Sequence, residues 1–356
     1  MERFGTDDGR RMTLRTRLTV LYAFLLCANV AVGLWAFVLF SGDAVKLGTA
    51  LLAYSLGLRH AVDADHIAAI DNVTRKLIQD GRRPTTVGFF FALGHSTIVL
   101  MAACLIAFTV GALSHFRNVS QIGSVIATAT SATFLFAIAA MNLMILRSVW
   151  HRFESVRRGG VYSNDELDIL LGGRGLLSRL FRPLFALIRH SWQMAPLGFL
   201  FGLGFDTATE VTLLGLAGAQ AASGVSIARI LVFPALFAAG MALIDTTDGV
   251  LMLGAYEWAF VKPIRKLYYN MTITGVSALV AIIIGGIETA ALIAQKLDLS
   301  GRGWNLASSL AGHFNALGFA IIGLFVAAWT ISYFIYRWKR FEEIEVVSNV
   351  GSDGQS

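Results

Sequence analysis

Gly57-Leu-Arg-His-Ala-Val-Asp-Ala-Asp-His-Ile-Ala-Ala-Ile-Asp-Asn72 sets one arginine, two histidines and three aspartates inside an apolar run that reaches from 48 to 74. A run of that length crosses a bilayer, which takes ~20 apolar residues in a helix. Lys46 and Arg75 flank it, so its midpoint falls near residue 61 and His60, Asp63, Asp65 and His66 fall near the bilayer centre. Each ionised group there costs on the order of 2.5–3.5 kcal/mol on insertion scales, and intramembrane ionisable residues therefore mark functional sites. On a continuous helix, at ~100° per residue, His60, Asp63 and His66 share one sector, with Asp63 in i,i+3 contact with both histidines. Asp65 lies outside that sector unless the helix unwinds locally.

The rest of the chain has the same character. Of its 356 residues 56% are apolar and only 15% are charged, against roughly 25% charged in soluble domains. Mean hydropathy is +0.65. This composition excludes a disordered chain, a nucleic-acid-binding domain and a disulfide-rich secreted domain. Cys27 and Cys104 both sit in apolar runs and form no C-x-x-C pair. The fold class expected is an all-α integral membrane protein with eight transmembrane helices, over 18–40, 48–74, 87–111, 122–146, 196–219, 227–253, 270–295 and 310–336. The first run is too long for a signal-peptide core and has no small-residue cleavage site after it, so it reads as a retained helix.

Eight crossings put both termini on one side. With the termini cytoplasmic, 23 of the 29 Lys and Arg fall on the cytoplasmic side; Lys46, Arg117, Arg229, Lys296 and Arg302 fall outside, and Arg59 lies within a span. That bias predicts cytoplasmic termini and accounts for the net charge of +6 without an anionic ligand. The expected organisation is a cytoplasmic segment at 1–17, a first membrane half at 18–146, a cytoplasmic loop at 147–195, a second membrane half at 196–336 and a cytoplasmic tail at 337–356. Within the loop, 163–169 reads as a capped short helix and 174–189 as a basic amphipathic surface helix.

Other spans carry matching polar residues. The third has His95, with Ser96 and Thr97. The fifth has Asp206, Thr207 and Glu210, and the sixth Asp245 and Asp248. Glu288, His313 and Asn315 lie nearer the outside, whereas Asp71 and Glu257 read as boundary residues at the cytoplasmic interface. Buried acids outnumber Arg59, so charge balance calls for a cation, either a metal or protons. Imidazole and carboxylate without thiolate suit Ni, Co, Zn, Mn or Fe; Cu(I) would want Cys or Met, and Mg or Ca oxygen alone. The residues predicted to hold the metal are His60, Asp63, Asp65, His66 and His95, with the choice between Asp63 and Asp65 as direct ligand open.

Arg59-His-Ala-Val-Asp-Ala-Asp-His-Ile67 matches an H-x4-D-H signature. Together with Leu93-Gly-His-Ser-Thr-Ile-Val99, Leu203-Gly-Phe-Asp-Thr-Ala-Thr-Glu210 and Phe233-Pro-Ala-Leu-Phe-Ala-Ala-Gly-Met-Ala-Leu-Ile-Asp-Thr-Thr-Asp-Gly249, it resembles the nickel/cobalt transporter family, NiCoT, over essentially the whole chain. The resemblance implies a cytoplasmic-membrane permease for high-affinity uptake of Ni2+ or Co2+, in which His60, Asp65 and His66 select and move the ion and Asp206, Thr207, Glu210, Asp245 and Asp248 line the transport pathway. The partners implied are the ion and the lipid bilayer. No resident cofactor, nucleic-acid partner or enzymatic activity is expected. A membrane subunit of an ATP-driven importer and an intramembrane metalloenzyme are the alternatives; the chain lacks G-x4-G-K-[ST] and H-E-x-x-H motifs. Finally, Gly57-Leu58 matches Gly202-Leu203, and Phe91-Ala-Leu-Gly-His95 matches Phe237-Ala-Ala-Gly-Met241. Units three spans apart are inverted, so these short matches point to an inverted repeat of spans two and three against five and six.

Overall fold

The computed structural model describes residues 13–108, 112–157, 188–203, 208–222, 226–259 and 263–338. Within them the secondary structure is helical: α1 Leu14–Phe40, α2 Ala44–His60, α3 Ala64–Gln79, α4 Val87–Phe108, α5 Ala112–Arg157, α6 Met194–Phe201, α7 Ala208–Ala222, α8 Ile227–Ala259, α9 Pro263–Lys296, α10 Arg302–Ala311 and α11 Phe314–Trp338. Six of these, α1, α4, α5, α8, α9 and α11, are long and apolar enough to cross a membrane. Their outer faces are apolar and uncovered, with Val38 73% and Phe334 64% exposed, which suits lipid as the surrounding solvent.

The expected second and fifth spans are interrupted, which is why they do not count among the six. The second is not one continuous helix: α2 ends at His60, residues 61–63 turn, and α3 starts afresh at Ala64. Part of the cause is local. Asp63 takes an extended conformation as the N-cap of α3, its side chain making no capping hydrogen bond, and Asp65 lies in the first turn. Both positions favour aspartate, because carboxylates suit the positive end of a helix dipole. In the fifth span α6 ends at Phe201 and α7 begins at Ala208; Asp206 and Thr207 lie outside the described residues. α5 runs on to Arg157, well past the expected start of the loop at 147. The short helix expected at 163–169 and nearly all of the amphipathic helix expected at 174–189 lie outside the described residues.

Two apolar clusters form the interior. One gathers α3, α5, α9 and α11 around Ile67, Ile70, Leu135 and Tyr269. The other gathers α1, α2, α7 and α8 around Phe40, Leu56, Leu213 and Phe237. α4 serves both, through Phe91 on the first side and Ala92 on the second. Glycines let the backbones close at this seam. A Cβ on Gly57 would overlap the Phe237 carbonyl, and one on Gly88 would overlap that of Asp245. Small residues at helix crossings serve this purpose in membrane proteins, where van der Waals contact drives association.

Candidate metal centre

His60 closes α2, His66 sits in the first turn of α3, and His95 lies within α4. All three are buried, at 2%, 0% and 3% exposure. Their ring centroids are 4.7 Å (His60–His66), 4.9 Å (His60–His95) and 4.9 Å (His66–His95) apart. One ring nitrogen from each lies within 4.8 Å of the others. Phe237 flanks His60 and Phe91 flanks His66, so each apolar cluster supplies one wall.

Buried carboxylates stand behind the rings. Asp63 Oδ2 accepts from His60 Nδ1 at 2.7 Å. Both oxygens of Asp245 lie 3.3 Å from His66 Nδ1. Glu210 Oε1 is 2.9 Å from His95 Nε2 and 3.7 Å from His60 Nε2. In His60 and His66 a carboxylate beside Nδ1 holds the proton there and leaves Nε2 as a lone-pair donor, the arrangement that outer carboxylates impose on metal-binding histidines; in His95 the carboxylate faces Nε2 instead. His66 Nε2 and His95 Nδ1 are buried without a hydrogen-bond partner, a costly state for polar atoms unless something else occupies their lone pairs or protons.

The spacing suits one small cation. His60 Nε2 and His95 Nε2 are 3.1 Å apart. Two imidazoles bound to one ion at about 2.05 Å would be separated by about 2.9 Å at right angles and about 3.3 Å at the tetrahedral angle. A nitrogen-rich set backed by carboxylates fits a borderline first-row metal rather than Mg or Ca.

The interruption of α2–α3 changes which acid serves which ring. Asp63 pairs with His60 but does not bridge to His66, which turns to Asp245 on α8. The continuous wheel placed Asp63 between both histidines, and the turn at 61–63 removes that register. Asp65 faces a cavity of about 590 Å3 beside the cluster, lined also by Asp63, Ser131, Thr209, Glu288 and Asn315. Its Oδ1 is buried without a hydrogen-bond partner, and Ser131 donates to Glu288 across the cavity wall at 2.9 Å.

Asp71, read from the sequence as a boundary residue, lies in the protein interior. It is 0% exposed and accepts from Ser277 at 2.8 Å. Asp248, one turn past Asp245, interacts electrostatically with both Asp71 and Asp245. Farther along α3, Arg75 is also buried, donating to Asn72 at 3.0 Å and Thr274 at 2.9 Å, while Asn142 donates to Asn72 at 2.7 Å. Reading Arg75 as the flank of a span overlooked this group; Asn72 and Thr274 inside apolar runs were the signal for it.

The chain belongs to the family whose description is high-affinity nickel-transport protein; the family model matches residues 46–335. It is 58% identical to the high-affinity nickel transport protein of Cupriavidus necator, over 93% of this chain and 95% of the relative. It is 43% identical to the high-affinity nickel-transport protein NixA of Helicobacter pylori, over 88% and 95%. The cobalt transport protein NhlF of Rhodococcus rhodochrous is 39% identical, over 89% and 92%. Membership puts the chain among transporters of nickel and cobalt rather than among enzymes. No solved structure matches it.

Proposed function

We propose that this protein is a secondary transporter that takes up Ni2+ or Co2+ across the cytoplasmic membrane, with His60, His66 and His95 as the selecting site. The observation that carries the proposal is the convergence of three buried ring nitrogens within 4.8 Å, backed by Asp63, Glu210 and Asp245. Relatives named for nickel and for cobalt support the choice of ion.

In this reading the chain crosses eight times in two membrane halves, with both termini and the connecting loop in the cytoplasm, as the Lys/Arg bias requires. The pairs α2–α3 and α6–α7 are then discontinuous spans. Such spans place substrate sites near the midplane of transporters built from inverted repeats, which supports the inverted pairing of spans two and three with five and six. The cavity beside Asp65 and Glu288 opens toward the outside and receives the ion. The ion exchanges water for the imidazoles, with Asp63 holding His60 in the donating tautomer. It leaves past Asp245, Asp248 and Asp71, and Asp206 and Thr207 belong to the same route. Metal and proton compete for the same lone pairs, so release is coupled to ligand protonation. The membrane potential favours inward movement of a divalent ion by about 4.6 kcal/mol per 100 mV, at ~2.3 per charge.

The test is initial-rate uptake of radioactive Ni2+ and Co2+ at submicromolar concentration, normalised to inserted protein. His60→Ala and His66→Ala are expected to reduce uptake to background. Parental uptake by His60→Ala would overturn the assignment.

A further inference from the structure

The turn between α2 and α3 is held from α11. Gly318 lies so close to the carbonyl of Val62, within the turn, that a Cβ there would overlap it. Three residues earlier, on the same face of α11, Asn315 spends both ends of its amide on the turn. Its Nδ2 donates to the carbonyl of Arg59 at 2.6 Å and to Asp63 Oδ1 at 2.5 Å. Its Oδ1 accepts from Arg59 Nε. The opposite amide orientation would set its oxygen against a carbonyl and a carboxylate and its NH2 against a guanidinium, so the chemistry of the partners fixes the orientation. The other oxygen of Asp63 accepts from His60 Nδ1 at 2.7 Å. Hydrogen bonds therefore lead from Arg59 through Asn315 to Asp63, whose carboxylate accepts from Asn315 on one oxygen and from His60 on the other.

We infer that Asn315 is a positioning residue for the metal centre: it holds the Asp63 carboxylate that sets the His60 tautomer, and with Gly318 it fixes the turn that aims His60 at His66 and His95. The inference rests on reading the histidine cluster as the transport site. Its physical basis is that ring separation is set by the turn, not by a continuous helix. A small change in the turn alters the ring spacing, and sites for first-row metals discriminate by geometry more than by raw affinity. Outer hydrogen-bond partners of metal-binding histidines typically matter by about 10–100-fold in affinity or activity. Asn315 also lines the outer cavity, so the residue that orients His60 stands on the approach to it.

The experiment compares Asn315→Ala, Asn315→Asp and Gly318→Ala with the parent, and uses Asn305→Ala on the exposed face of α10 as control. Uptake of Ni2+ and of Co2+ is measured across concentrations and normalised to inserted protein, alongside equilibrium Ni2+ binding to purified protein. Asn315→Ala is expected to raise the half-saturation concentration about 10–100-fold, with a smaller fall in maximal rate, and to shift the Ni2+:Co2+ ratio. Asn315→Asp should be worse, because it sets a second carboxylate against Asp63. Gly318→Ala should shift the ratio in the same direction as Asn315→Ala. A packing role alone would lower the amount of inserted protein and leave half-saturation and the Ni2+:Co2+ ratio at parental values, which would overturn the inference. Should Asn315→Ala not insert, Asn315→Gln, whose amide is displaced by one methylene, must show the raised half-saturation; a parental value there overturns the inference. His60→Ala in the same assay separates the two claims. Background uptake with parental kinetics in Asn315→Ala defeats the positioning role alone, whereas parental uptake by His60→Ala defeats the site and this inference with it.

Discussion

Two buried polar groups occupy the same helix, and they are built on opposite terms. At the start of α3, His66 joins His60 and His95, with a carboxylate against each ring and two ring nitrogens, His66 Nε2 and His95 Nδ1, left without hydrogen-bond partners. About 13 Å farther along, at ~1.5 Å per residue, Arg75 donates to Asn72 and Thr274 and Asn142 donates to Asn72, while Arg75 Nε and Asn142 Oδ1 have no hydrogen-bond partner. The first group brings three imidazoles together and leaves His66 Nε2 and His95 Nδ1 buried without hydrogen-bond partners. The second sets donors toward acceptors, and its unpartnered atoms are a guanidinium N–H and an amide oxygen rather than ring nitrogens that converge. Burial of polar atoms is common to both, so burial alone does not mark an ion site. What marks it is convergence of atoms with the same demand, which a fold retains against its cost only where a ligand relieves it.

This contrast is open to direct attack. The largest effect expected is from His66→Ala or His95→Ala, with uptake falling to background while the amount of inserted protein stays near parental, because each variant removes strain along with a ligand. Quantitative membrane immunodetection alongside uptake measures both. If either variant instead loses insertion and keeps its rate per molecule, the two groups do not differ as described. Arg75→Leu should show the reverse pattern. Loss of its buried hydrogen bonds costs about 2–4 kcal/mol of stability, read as a lower thermal midpoint in detergent, while uptake per inserted molecule falls far less than in the histidine variants.

A smaller effect belongs to the cavity. Asp65→Asn removes one charge from the approach to the centre; at ~8 Å in water that is worth about 1 kcal/mol toward a divalent ion, or roughly a fivefold rise in half-saturation. An unchanged value would mean that Asp65 does not face the arriving ion. The smallest effect is expected from Cys27→Ala combined with Cys104→Ala. Cys27 is exposed and Cys104 half-buried on membrane helices, and a nitrogen and oxygen site uses no thiolate. Uptake should stay within about twofold of the parent, and a larger loss at normal expression would place a thiolate among the ligands.

Much of the molecule was legible along the chain. α1, α4, α8, α9 and α11 begin or end within a few residues of the apolar runs that predicted them, because a membrane span is a local property of composition and length. His60, His66 and His95 stood out for the same reason, as polar residues in apolar runs. The break at 61–63 was harder. Its signals, Asp63 at an N-cap and Asp65 in a first turn, are those of an ordinary helix start, and inside an apolar run they compete with the expectation of a continuous helix. The burial of Asp71 and Arg75 was not legible, because it comes from α9, through Ser277 and Thr274.

The chain by itself determined the class of protein, the positions of its uninterrupted apolar helices and the residue types available to a cation, since each follows from local hydrophobicity and charge. Only the tertiary structure decided which carboxylate serves which imidazole: Asp63 to His60 across a turn, Asp245 to His66 from α8, Glu210 to His95 from α7. It also decided that Asn315, some 250 residues from His60 in sequence, reaches Asp63 from α11. The reason is range. Hydrophobic periodicity acts within one helix, whereas hydrogen bonds of under 3.5 Å between helices depend on how closely their backbones approach, and that approach is set where Gly57, Gly88 and Gly318 meet neighbouring carbonyls.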